Sequence, residues 1–95
     1  MIKKHASWGK SPSSRYLREQ YHIDLETFWC MVDAQNGCCA ICGIFKGNKL
    51  VIDHCHQSKK IRGLLCHSCN TGLGQFGDDI STLKLAIDYL QFQRL

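Results

Sequence analysis

Apolar residues in this chain fall into four short patterned stretches separated by polar, glycine-containing segments. Leu25, Phe28, Trp29 and Val32 stand at i, i+3, i+4 and i+7, the spacing of one helical face. Asp24 precedes them as an N-cap, and Asn36-Gly37 follows as a stop, with glycine suited to a left-handed cap. Phe28 and Trp29 are expected in the core rather than as a base-stacking platform, and Cys30 as a small core residue. A short helix around residues 16–21 is expected to come before. Residues 49–53 are rich in β-branched and apolar side chains and read as a short strand. Gly47-Asn48 just ahead of them has turn character, which predicts a hairpin there. Residues 61–65 read as a second short strand. Last, Ile80, Leu83, Ala86, Ile87 and Leu90 form one apolar helical stripe capped by Asp78 or Asp79, expected to be structural, with an outer face for a partner. Residues 1–15 have little periodicity. Lys3, Lys4 and Lys10, with Ser11, Pro12, Ser13 and Ser14, read equally as a solvated tail or as a basic arm that contacts DNA.

Composition adds a constraint. A 95-residue chain builds one domain with a modest core, and such chains are often stapled by a metal. Seven cysteines are an odd number, which argues against a complete disulfide framework. Four of them form two knuckles, Cys39-Ala-Ile-Cys42 and Cys66-His-Ser-Cys69, and this argues for metal in a reducing, cytoplasmic compartment. Zinc accepts four thiolates in a tetrahedron, and a shell so filled keeps no open position for chemistry. Cys38 is a rival for Cys39, but only Cys39 has the two-residue spacer to Cys42. The 23 residues between Cys42 and Cys66 leave room for a β-hairpin. The second knuckle is expected to open a short helix ending between Gly72 and Gly77, whose N-terminus favours thiolate charge. No apolar run approaches the roughly 20 residues of a membrane span. Met1-Ile2-Lys3-Lys4-His5 lacks the apolar core of a secretory signal.

Between the knuckles runs Asp53-His54-Cys55-His56. In the bland reading it is a polar hairpin tip, with His56 or Cys55 supporting the zinc ligands. In the sharper reading it is a catalytic cluster. Phosphodiester hydrolysis needs a base for water, a cation on the phosphate and charge support for the leaving oxygen. A histidine that is neutral near pH 7 can take the proton, and an aspartate oxygen suits a hard cation. One geometric difficulty stands against it. Neighbours on a regular strand point to opposite faces, so Asp53 and His54 serve one site only if the strand twists or ends there.

The ordered set Cys39-x-x-Cys42, Asp53-His54-x-His56, Arg62-Gly63-Leu64-Leu65-Cys66-x-x-Cys69-Asn70 and Gly74 closely resembles the bacteriophage recombination endonuclease VII family. That family belongs to the wider HNH, or ββα-metal, nuclease group. Ala34-Gln35-Asn36-Gly37 and Ala86-Ile87-Asp88-Tyr89-Leu90 are similar to it as well, so the resemblance covers roughly residues 21–91. It implies an α+β fold: a small zinc-stabilised ββα-metal, treble-clef-like finger flanked by N- and C-terminal helices. Residues 1–20, outside the resemblance, are expected as a basic arm or short helix, and the resemblance implies a nuclease domain over 21–95. By position, Cys39, Cys42, Cys66 and Cys69 would hold structural zinc. Asp53 and Asn70 would hold a catalytic divalent metal, Mg2+ or Mn2+. His54 would be the general base, and His56 would support the charge on the phosphate. Three features depart from the pattern: Cys55 stands where the family often has aspartate, Leu73 stands where the phage junction-resolving enzyme has a glutamate, and the middle asparagine of the generic HNH pattern has no counterpart near Ile61 to Gly63.

The implied partner is DNA, double-stranded or branched, with a homodimer as the assembly. The formal net charge of +4 leans weakly toward an anionic partner. Lys59 and Lys60 are expected as backbone contacts, which give salt-dependent and mostly sequence-independent affinity. Arg62 reads equally as a phosphate contact or as half of an ion pair. The rival function is a non-catalytic zinc module that binds nucleic acid or protein. It predicts that Asp53, His54 and Asn70 are dispensable.

Overall fold

A computed structural model describes residues 6–92. Helix α1 is Ser14–Tyr21 and α2 is Leu25–Ala34. Strands β1, Val51–His54, and β2, Ile61–Leu65, form an antiparallel hairpin. It is followed by α3, His67–Gln75, and α4, Ile80–Gln91. Single 3-10 turns occupy Ala6–Trp8 and Gly47–Lys49. The fold is α+β: a ββα unit with helices before and after it. Among the described residues, no helix is long and apolar enough to cross a membrane.

The helices begin where local chemistry places them. The Ser13 hydroxyl accepts from the Tyr16 N–H at the start of α1. Asp24 accepts from the Thr27 N–H at 2.8 Å and from its hydroxyl at 2.6 Å at the start of α2. Asp79, rather than Asp78, caps α4 through Thr82. Each cap satisfies N–H groups that a helix leaves without an internal partner. Gly47-Asn48 does not turn a hairpin, contrary to the expectation from its sequence. It forms a 3-10 turn onto which the N-terminal segment docks. The Trp8 ring meets Phe45 edge-on at 5.0 Å, and the Asn48 amide donates to the Gly9 carbonyl at 2.7 Å. At Gly47, φ is +55° and a Cβ would stand 2.6 Å from the Trp8 carbonyl oxygen, so both conformation and space require glycine. Lys3 and Lys4 lie outside the described residues, whereas Lys10, Arg15 and Arg18 are exposed.

One core forms where α1, α2 and the hairpin meet. Leu17, Phe28, Val32, Leu50, Ile52, Leu64 and Leu65 are buried together with Cys39 and Cys66. Burying a Leu, Val or Phe side chain contributes about 1.5–3 kcal/mol, so a core this small is a modest driving force. Gln35, just past α2, extends it with backbone-like pairing. Its amide donates to the carbonyls of Cys38 and Leu64 and accepts from the Leu64 N–H. This ties the free edge of β2 to the loop that carries the first knuckle.

Two expectations about packing fail. Cys30 is exposed, because residues two apart on a helix do not share a face and the buried face of α2 is set by Phe28 and Val32. The stripe on α4 is not core. Ile80 is 71% exposed, Ile87 53% and Leu90 76%, and no α4 residue is buried. Periodicity shows that one face of a helix is apolar; it does not show what covers that face.

Candidate metal centre and active site

The two knuckles converge. One sulfur each from Cys39, Cys42, Cys66 and Cys69 lies within 4.8 Å of all the others, with Cys42 and Cys66 at 3.8 Å. A tetrahedron with zinc–sulfur bonds of about 2.3 Å has edges of about 3.8 Å, so the donor set fits zinc. Cys38 stays outside it, its thiol turned to the Asn36 carbonyl. Backbone geometry prepares the sulfurs. Cys66 caps α3 by accepting from the Cys69 N–H, and Cys39 accepts from the Ile41 N–H. Burial pushes the Cys39 thiol up, but N–H groups of Cys66, Cys42 and Ile41 outweigh it and bring it to about 6. Its hydrogen bond to Cys66, with burial and the neighbouring sulfurs, pushes Cys69 up to about 12. A divalent cation among four sulfurs this close is what stabilises them as thiolates.

The hairpin between the knuckles resolves the geometric difficulty at Asp53 and His54. Asp53 pairs with Gly63, but His54 pairs with Ile61, so the register shifts between them and Arg62 is the extra residue. Such a bulge re-aims side chains. Asp53 and His54 consequently line one cleft of about 210 Å³, together with His56 and Asn70. His54 and His56 stack with ring centroids 5.4 Å apart. Asn70 donates its N–H to the Cys66 carbonyl at 3.0 Å in the first turn of α3, so the helix that carries the second knuckle also carries Asn70 to the cleft.

Two further side chains line this cleft that the sequence reading did not place there: Tyr21 and Asp78. Tyr21 meets the His54 ring at 6.0 Å, and burial, then Tyr16, raises its phenol. Asp78 sits in the turn between α3 and α4 with φ of 57°. The Arg62 guanidinium beside it, with His56 and His54 nearby, holds its carboxyl below the usual range. The signal for Asp78 was the adjacent pair Asp78-Asp79, of which only one can cap α4. Arg62 is an ion-pair residue in this structure. Its Nε reaches Asp53 Oδ2 at 2.6 Å, and Nη2 reaches Asp78 Oδ1 at 2.9 Å. Cys55 lines a neighbouring cavity of about 360 Å³ with His56 and Asp78 rather than the cleft itself. Hydrogen bonds at Ser58 and Gln57 lower its thiol to about 7. Lys59 and Lys60 are exposed on a loop closed by bonds from the Cys55 N–H to the Lys60 carbonyl and from the Lys59 N–H to the Cys55 carbonyl, each 2.8 Å.

The family profile for recombination endonuclease VII matches residues 14–92. The chain belongs to the recombination endonuclease VII family. Its curated relatives include the Gene 59 protein of Mycobacterium phage D29, 42% identical over 74 residues, which are 75% of this chain and 45% of that protein. The Gene 59 protein of Mycobacterium phage L5 is 41% identical over 73 residues, 74% of this chain and 44% of that protein. The chain spans about half the length of these relatives. No solved structure matches it. The four-cysteine cluster gives the family fold of this chain a zinc-fitting centre.

Proposed function

We propose that this chain is a metal-dependent DNA endonuclease of the HNH type, with Asp53 and Asn70 holding a divalent ion, Mg2+ or Mn2+, and His54 acting as general base. The observation that carries the reading is the bulge, because it turns both Asp53 and His54 to the one cleft that His56 and, from α3, Asn70 also line. The donors fit such an ion: a carboxylate and an amide oxygen are hard ligands. When bound, the ion supplies Lewis-acid stabilisation of charge on the phosphate. His54, stacked on His56 and met edge-on by Tyr21, is held for proton transfer. An imidazole nitrogen of His54 takes a proton from the attacking water. His56, on the same cleft, supports negative charge as it develops on the phosphate oxygens.

Lys59 and Lys60 supply backbone contacts to double-stranded or branched DNA, so binding weakens as salt rises. Among the described residues no helix carries the features of a major-groove reader, and the domain nicks with weak sequence preference. The four thiolates belong to a reducing, cytoplasmic setting. The reading includes a homodimer, and the exposed Ile80, Ile87 and Leu90 of α4 leave an apolar face open to such contact. Light scattering checks this: twice the chain mass is expected, and a monomer at all concentrations removes the dimer. The nuclease reading is tested by nicking of supercoiled plasmid. Conversion to open circle is expected with Mg2+ or Mn2+ and not without; a zinc-loaded, folded chain that never nicks is a binding module instead.

A further inference from the structure

The carboxylate of Asp53 does not stand alone. Arg62 reaches it with two groups, Nε to Oδ2 at 2.6 Å and Nη2 to Oδ1 at 3.0 Å. The far edge of the same guanidinium reaches Asp78, Nη1 to Oδ2 at 3.1 Å and Nη2 to Oδ1 at 2.9 Å. Four of its five N–H groups are thus directed at two carboxylates. We infer that Arg62 and Asp78 form a brace that positions the Asp53 carboxylate for its divalent ion. The inference rests on the reading of Asp53 as a ligand of that ion.

Three features of the arrangement support the brace. The Asp53 side chain is only 10% exposed, and a carboxylate in that setting requires a partner. A planar fork supplies one and fixes the plane of the group, while each oxygen keeps lone-pair capacity toward the cleft. Charge balance favours the presence of Asp78. Arg62 with Asp53 alone would be neutral, and such a pair attracts a cation poorly. Two carboxylates around one guanidinium leave one net negative charge beside the cleft. Finally, Asp78 is free for this task, since Asp79 caps α4. The Asp78 N–H bonds back to the Leu73 carbonyl at 2.8 Å, which anchors the turn and so anchors the far side of the guanidinium. Arg62, at the bulge, ties the hairpin to that turn. Supporting groups of this kind typically change metal affinity by 10–100-fold.

Two conservative variants and a metal-binding measurement test the brace. Asp78→Asn keeps the shape and removes the charge. Arg62→Lys keeps the charge and loses the fork. Mn2+ binding to zinc-loaded protein is followed by the loss of the free-ion electron paramagnetic signal, without DNA or turnover. We expect the dissociation constant for Mn2+ to rise about tenfold or more in both variants. The Mg2+ concentration for half-maximal plasmid nicking should rise in step, and the rate at saturating metal should stay near wild type in Asp78→Asn. A purely structural tie would lower the melting temperature and leave the Mn2+ affinity of the folded protein unchanged; that result overturns the brace. If Arg62→Lys fails to fold, Asp78→Asn alone decides. An Arg62 that serves mainly to grip phosphate predicts tighter DNA binding and unaltered Mn2+ affinity in Asp78→Asn, which also overturns it. Wild-type protein that neither binds Mn2+ nor nicks removes the nuclease reading, and the brace falls with it.

Discussion

Replacing Cys66 with serine will release the metal and unfold the chain. Three roles meet at this residue. Its sulfur is part of the four-cysteine cluster; the same sulfur caps α3 by accepting from the Cys69 N–H; and the residue is 3% exposed within the core. Serine keeps a capping oxygen but is not a soft anionic ligand for zinc. Structural zinc contributes roughly 10 kcal/mol or more of apparent binding free energy at neutral pH in small finger domains. That is comparable with the whole stability of an ordinary domain, about 5–15 kcal/mol. The nine buried residues of this core include two of the four clustered cysteines, so losing the cluster also opens the apolar interior. Metal analysis should find one zinc per wild-type chain and none in Cys66→Ser, with loss of helical circular dichroism. Cys38→Ser should change neither, since that thiol faces the Asn36 carbonyl. A metal-free wild-type chain that folds fully would contradict the structural role.

The second large effect is expected at His54. His54→Ala should slow nicking by about 10²–10⁴-fold, the usual contribution of a positioned general base, while zinc content and fold stay as in wild type. The separation of effects follows from position. His54 is the last residue of β1 and is half-buried at the cleft, outside the buried cluster that joins the helices to the hairpin. Its removal therefore takes away ring contacts with Tyr21 and His56 and little packing. An unchanged rate in the folded variant would exclude His54 as the base.

The parts of this fold written in local chemistry could be read from the sequence. The cap at Asp24, the two CxxC turns, the short strands and the helix opened by Cys66 depend on residues within a few positions of one another. Each CxxC pair of the donor set was legible for the same reason, and their convergence across 24 residues of chain followed from zinc's need for four ligands. The bulge was not, because it depends on which residue of β2 faces which residue of β1. A one-residue slip in that pairing decides whether Asp53 and His54 share a face. Asp78 was equally hidden. Nothing local separates it from Asp79 as the cap of α4, and its contact with Arg62 spans 16 residues of chain. Cys30 and α4 show the limit of periodicity. An apolar residue in a helical pattern is buried only if tertiary structure brings a surface to it, and here the core closes around α1, α2 and the hairpin without reaching either.

In the proposed mechanism, zinc holds the frame while a second divalent ion, at Asp53 and Asn70, supports the chemistry. The most direct measurement is nicking of supercoiled plasmid by zinc-loaded protein first freed of Mg2+ and Mn2+, then titrated with Mg2+, for wild type and Asn70→Ala. We expect no nicking before addition, full activity after it in wild type with zinc content constant, and little or none in Asn70→Ala. Nicking that proceeds with zinc alone, or an Asn70→Ala protein that nicks at the wild-type rate, would contradict it.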